Sequence, residues 1–187
     1  MTDPAPPNST APVQVHRQVS AGLQPLTLVL AGIVVLVDQA TKALVRARLP
    51  LHDSVAVIPG LLEFTHVRNT GAAFGILNAA EFPYKAAVIA LVATIALASI
   101  AIYTARLSPH QRLARLGLAL ILGGAAGNHI DRVTAGFVLD FVDFHWGDYH
   151  FWAFNVADAA ITVGVVGMLL DMIRAGDGGP PAAGSRP

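Results

Sequence analysis

Residues 86–105 read AAVIALVATIALASIAIYTA, twenty residues without a charge, bounded by Lys85 and Arg106. A helix needs about 20 apolar residues to cross the hydrocarbon core of a bilayer, so this stretch is read as a membrane span. Working outward from it, three more segments qualify. The first runs from about Pro25 to Arg48. Its clean apolar part, Leu26 to Val37, is only 12 residues, so to span it carries Asp38 and Lys42 in its last third. The third runs from about Arg112 to Asp131, and the fourth from about Ala153 to Ile173 with Asn155 and Asp158 in its first two turns. The expected fold is an α-helical membrane protein, a bundle of four transmembrane helices with a small extramembrane sheet-and-loop subdomain on one face.

Composition agrees. Of 187 residues, 54% are hydrophobic and 13% charged, with mean hydropathy +0.57. Soluble domains carry about 25% charged residues. Lys+Arg and Asp+Glu both total 12, which gives no argument for nucleic acid, and the absence of Cys excludes disulfides, thiolate metal sites and a Cys nucleophile. Residues 1–24 are polar and Pro-rich and read as a disordered cytoplasmic tail, with no cleavable signal peptide. Residues 25–175 form the expected transmembrane domain, with extramembrane loops over 49–84 and 133–152. Residues 176–187 form a second, breaker-rich tail.

Threading four helices up and down brings Asp38/Lys42, Asn128/Asp131/Arg132 and Asn155/Asp158 to one membrane face, together with both long loops. Arg106, Arg112 and Arg115, dense around the short turn at 107–111, place the opposite face and both termini in the cytoplasm. In the first loop, Leu61-Leu62-Glu63-Phe64-Thr65-His66-Val67 alternates like a strand. Trp146, Tyr149, Phe151 and Trp152 suit an interfacial belt.

Two carboxylates stand out. Asp140 lies in Val138-Leu139-Asp140-Phe141-Val142, where strand alternation sets it among Val138, Val142 and Phe144, and Asp143 on the opposite, wetter face. Asp158 lies in Phe154-Asn155-Val156-Ala157-Asp158. A carboxylate at a bilayer boundary is costly and is a functional candidate by default, and two sharing a cavity can share a proton. The plainer alternatives are a backbone-bonded loop carboxylate for Asp140 and helix capping for Asn155 and Asp158. Asp38 and Lys42, four apart, read first as a structural ion pair. Asn128, Asp131 and Arg132 share a helix face, with Asp131 and Arg132 expected in a network with that pair, and His129 pointing elsewhere. Gly123 and Gly127 permit close helix contact. His145 and His150 with Asp143 and Asp148 match no metal-binding spacing, and neither metal nor cofactor is expected.

Taken in order, Val37-Asp38-Gln39-Ala40-Thr41-Lys42, Arg68-Asn69-Thr70-Gly71-Ala72-Ala73-Phe74-Gly75, Gly124-Ala125-Ala126-Gly127-Asn128-His129-Ile130-Asp131-Arg132, Val138-Leu139-Asp140-Phe141 and Phe154-Asn155-Val156-Ala157-Asp158 resemble the lipoprotein signal peptidases, the signal peptidase II family of bacterial membrane aspartyl proteases. The resemblance covers roughly Leu26 to Leu170. It implies that Asp140 and Asp158 are the catalytic dyad, and that Asp38, Lys42, Asn69, Gly71, Asn128, Arg132 and Asn155 are supporting or substrate-contacting. It also implies a substrate, a diacylglyceryl-modified prolipoprotein cleaved on the amino side of its lipidated Cys, met in the bacterial cytoplasmic membrane near the outer face. Membrane lipid is the other expected partner; nucleic acid and an obligate protein partner are not. Arg68 and Asn69 would clamp substrate, and Gly71 and Gly75 would let their loop close as a lid. The rival readings are a small transporter, which needs polar groups along a midplane path where residues 86–102 have essentially none and no charge, a non-enzymatic assembly factor, and a metallohydrolase.

Overall fold

The computed structural model describes residues 22–71, 80, 82–108, 111–147 and 149–177. The expected tails at 1–21 and 178–187, Gly75 and Asp148 lie outside the described residues. Four helices, α1 (Pro25–Arg48), α2 (Lys85–Ala105), α3 (Arg112–Ala135) and α4 (Val156–Asp177), are each long and apolar enough to cross a membrane. Between them lie four strands, β1 (Ser54–Ile58), β2 (Leu62–Asn69), β3 (Val138–Trp146) and β4 (Tyr149–His150), in one antiparallel sheet of order β1-β2-β3-β4. Both long loops therefore feed one sheet.

Helix ends follow local chemistry. Pro25 occupies the first turn of α1, where its missing N–H costs nothing. α3 runs past the expected Asp131 because Gly136, with φ of 80°, supplies the left-handed residue that ends a helix, its N–H donating to the Arg132 carbonyl. α4 starts later than Ala153, since Phe154 is bridged to Val142 on β3, and it continues past Ile173 to Asp177.

α3 is the central helix and packs on α1, α2 and α4. Glycines allow the approach. A methyl on Gly123 would meet the Ala31 carbonyl at 2.7 Å, one on Gly117 the Gly164 carbonyl at 2.6 Å, and one on Gly124 would overlap the Ala157 carbonyl. Where lipid replaces water, such backbone contact is what helix association rests on. Leu26, Leu28, Ile33 and Leu36 on α1, Leu91, Val92 and Ile95 on α2, and Val163, Leu169 and Met172 on α4 are exposed, as lipid-facing surfaces require. The chain is a multi-pass membrane protein.

The sheet has two unlike faces. Cross-strand partners Phe64 and Val142, and Leu62 and Phe144, put apolar side chains on one; partners Glu63 and Asp143 share the other. Between Phe64 and Val67 the register slips, so β2 carries one extra residue there. Simple alternation from Leu62 and Phe64 would send Asn69 to the Glu63 face. The bulge returns Val67 and Asn69 to the face of their partners Asp140 and Val138.

Candidate active site

The polar groups of the three helix ends meet around one ammonium. Lys42 is fully buried and its Nζ lies 2.8 Å from Asp38 Oδ2, 2.9 Å from Asp131 Oδ2 and 2.9 Å from Asn128 Oδ1. Three acceptors match the three N–H bonds of Lys, the condition under which a buried charge is tolerated. Asp38 is equally buried, and its Oδ1 accepts the Ala157 N–H at 3.0 Å, so α1 caps the first turn of α4. Asp131 also accepts the Leu139 N–H at 3.3 Å, tying α3 to β3. Gln39, absent from the expected site, completes this knot with bonds to the Gly127 carbonyl at 3.1 Å and Asp131 at 3.2 Å. Its place beside Asp38 in the first motif was the available signal. Arg46, 3.7 Å from Asp131, joins from the exposed side.

Arg132 does not enter the network with Asp38 and Lys42, contrary to expectation. Its guanidinium donates to its own helix at the Asn128 carbonyl, 3.3 Å, and to the Gly71 carbonyl, 3.2 Å. One residue along a helix turns a side chain by about 100°, which separates Arg132 from Asp131. His129 is half-buried and points away from the network, its Nε2 3.2 Å from Thr94 Oγ1 on α2.

Two asparagines carry this knot to the carboxylates. Asn128 Oδ1 is taken by Lys42 and by Asn155 Nδ2 at 3.2 Å, which leaves its Nδ2 to donate to Asp158 Oδ1 at 2.7 Å. Asn155 Nδ2 donates to Asp140 Oδ1 at 2.7 Å. At the head of α4, Asn155 Oδ1 accepts the Asp158 N–H at 3.0 Å, while Asp158 Oδ2 accepts the Asn155 N–H at 3.3 Å. This reciprocal pairing is a capping box. The capping alternative for Asn155 and Asp158 is therefore present in the geometry, and Asp158 Oδ1 still reaches past it to Asn128. The other oxygen of Asp140 accepts from Asn69 Nδ2 at 3.1 Å. Asn69 is held in turn: its Oδ1 accepts the Gly71 N–H at 3.0 Å, and Arg132 holds the Gly71 carbonyl. All nine expected residues thus lie in one connected system, with Asn155 bonded to both Asp140 and Asp158.

Asp140 is 3% exposed. Burial, and then the neighbouring Asp158 charge, raise its carboxyl pKa from 3.8 to about 7, against the hydrogen bonds of Asn69 and Asn155 and the Lys42 charge, which lower it. Beside Thr70 and Gly136 a crevice opens, lined also by Ala80, Phe82, Lys85 and Ala86.

Other expectations resolve differently. Arg68 stacks its guanidinium over the Phe137 ring at 4.6 Å. Asp143 lies on the face opposite Asp140 and is partly exposed there, with His150 Nδ1 2.8 Å from its Oδ2. Gly124, Gly117 and Gly164, which bring α3 and α4 together, were missed beside Gly123 and Gly127; Gly117 and Gly124 lie on α3 at seven-residue spacing.

Most of the chain matches known proteins. The family described as Signal peptidase (SPase) II matches residues 30–174. The lipoprotein signal peptidase of Geobacter sulfurreducens is 50% identical over 137 residues, 73% of this chain and 84% of that protein. That of Geobacter metallireducens is 47% identical over 146 residues, 78% of this chain and 89% of that protein. A bacterial membrane enzyme solved by the in meso method superposes with a TM-score of 0.70 at 30% identity, covering 89% of this chain and 99% of that one. The chain is thus a membrane peptidase of the aspartic type. It belongs to the signal peptidase II family.

Proposed function

We propose that this enzyme removes signal peptides from diacylglyceryl-modified prolipoproteins, cutting on the amino side of the lipidated Cys, with Asp140 and Asp158 as the catalytic pair. The observation that carries the reading is the shared suspension of these two carboxylates on Asn155, with Asp140 buried and its pKa raised to about 7. Two neighbouring carboxylates do not both ionise, so the pair holds one proton between them, which this reading places on Asp140 with the charge on Asp158.

The chemistry then balances without a covalent intermediate. Asp158 takes a proton from water as its oxygen bonds to the scissile carbonyl carbon, while the Asp140 proton polarises the carbonyl oxygen. The tetrahedral intermediate collapses with cleavage of the C–N bond. The leaving nitrogen takes a proton from the pair, which returns to one proton. Asn128 and Asn155 orient Asp158, Asn69 and Asn155 orient Asp140, and Lys42 with Asp38 fixes both asparagine arms. Arg132, through Gly71, holds the Asn69 turn. The apolar face of the sheet beside Asp140 and the exposed α2 surface suit a substrate that arrives through lipid. The enzyme works in the bacterial cytoplasmic membrane, both termini inside and the sheet outside, in keeping with the Arg106, Arg112 and Arg115 density at the opposite turn.

The test is cleavage of a diacylglyceryl-modified prolipoprotein by purified wild type, Asp140→Asn and Asp158→Asn, with chelator present and Tm measured in parallel. Wild type cleaves, and each variant folds and is inactive. An inert wild type, or a variant at near-normal rate, sinks the proposal.

A further inference from the structure

The polar face of the sheet carries a side-chain cluster that the reaction above does not use. Glu63 and Asp143 are cross-strand partners on β2 and β3, and His145 and His150 are partners on β3 and β4. His150 Nδ1 lies 2.8 Å from Asp143 Oδ2, and His145 Nε2 lies 3.6 Å from Glu63 Oε1. The two imidazoles stack, with centroids 4.9 Å apart and planes 11° apart. The second oxygen of Asp143 is buried and has no hydrogen-bond partner among the described residues, where the carboxylate's side-chain bonding rests on His150. Residues 140 and 143 point to opposite faces of β3, so the cluster does not touch the catalytic pair.

What the cluster does touch is the chain that joins the pair. From Asp140, β3 runs to Gly147, which has a φ of 60°, and returns through β4. It arrives at Phe154, whose N–H donates to the Val142 carbonyl at 3.0 Å and whose carbonyl accepts from Val142 at 2.8 Å. The next residue is Asn155, which bonds to Asp140 and caps α4 at Asp158. Among the described residues the β3–β4 ladder has two residue pairs, His145 with His150 and Trp146 with Tyr149, followed by a single backbone bond from the Phe151 N–H to the Phe144 carbonyl at 2.7 Å. A ladder that short holds its register weakly, and a slip of one residue turns every side chain to the other face.

We propose that His150, through Asp143 and the stacked His145, is a positioning residue: it fixes the register of the β3–β4 hairpin and thereby the placement of Asn155 and Asp158 against Asp140. Glu63 faces His145 from β2, its Oε1 3.6 Å from His145 Nε2 and beyond hydrogen-bond reach. The proposal rests on the reading of Asp140 and Asp158 as the reacting pair. His150 is exposed, so its removal leaves the helix bundle standing.

The experiment uses the full chain in detergent and the lipidated prolipoprotein, comparing wild type, His150→Ala and His150→Asn. The Asn amide nitrogen reaches the place of Nδ1 and restores the donor to Asp143. His150→Ala is expected to lower kcat about tenfold, the scale of a small misplacement of reacting groups, with KM and Tm close to wild type. His150→Asn is expected to recover most of the loss. Unchanged kcat in His150→Ala, an Asn variant no better than Ala, or a kcat loss that tracks a loss of Tm overturns the proposal. Asp140→Asn and Asp158→Asn are assayed alongside. If both are inactive while His150→Ala is normal, the positioning role alone fails; if either stays active, the catalytic pair fails and this proposal with it.

Discussion

Lys42 does three jobs with one ammonium. It neutralises Asp38, neutralises Asp131, and occupies Asn128 Oδ1 so that the amide nitrogen can only turn toward Asp158. Lys42→Met leaves buried Asp38 without a cation and Asp131 with only the half-exposed Arg46 at 3.7 Å, and breaking such a group costs about 3–5 kcal/mol. The expected result is a large fall in Tm, partly recovered when Asp38→Asn and Asp131→Asn are added; a thermal-shift series checks it. Asp140 predicts a pH profile. With a pKa near 7 it keeps its proton below that value, so the cleavage rate should fall about tenfold per unit as pH rises beyond about 7. The stability effect has a definite sign. A raised carboxyl pKa means that the unfolded chain ionises first, so stability declines between about pH 4 and pH 7 and the penalty is constant above. Asp140→Asn has no such penalty, and its Tm advantage over wild type should grow across that window.

At the scale of elements, two local features aim the site. The bulge in β2 between Phe64 and Val67 returns Asn69 to the Asp140 face. Deleting one residue there turns Asn69 away, so cleavage should be lost while the helical circular dichroism of the bundle is retained. The glycines of α3 set the depth at which α4 docks. Gly124→Ala forces its methyl into the Ala157 carbonyl, one residue from Asp158, whereas Gly32→Ala on α1 meets nothing within 4 Å. The former should lower kcat strongly and the latter leave it intact, in side-by-side assays. The glycine pair on α1's side, Gly123 and Gly127, was legible in the sequence. The bulge was not, because alternation reads the same on both sides of an inserted residue until a partner strand fixes the register.

For the whole molecule, the lack of Cys allows a direct topology test. A single Cys introduced at Trp146, on the sheet, should react with a membrane-impermeant maleimide from outside intact cells. A Cys at Ser108, in the turn between α2 and α3, should react only after lysis. The reverse pattern would invert the proposed orientation. The up-and-down threading was legible from four hydrophobic lengths, since an even number of crossings returns both ends to one side. The pairing of both long loops into one sheet was not, because strand partners are chosen by contacts distant in sequence.

The sequence by itself determined that this chain spans a membrane four times, that its charged residues gather at one end, and which residues resemble those of the signal peptidase II family. Those features depend on composition, period and order, which a chain carries whether folded or not. Only the tertiary structure decided which atoms meet: that Arg132 turns from the Lys42 network to Gly71, that Asn155 serves both carboxylates while capping α4, and that a bulge brings Asn69 to Asp140. Hydrogen bonds are set by distances of a few tenths of an ångström and by the direction of each donor. Those are fixed by the packing of α3 against its neighbours and by strand register, which no single segment encodes.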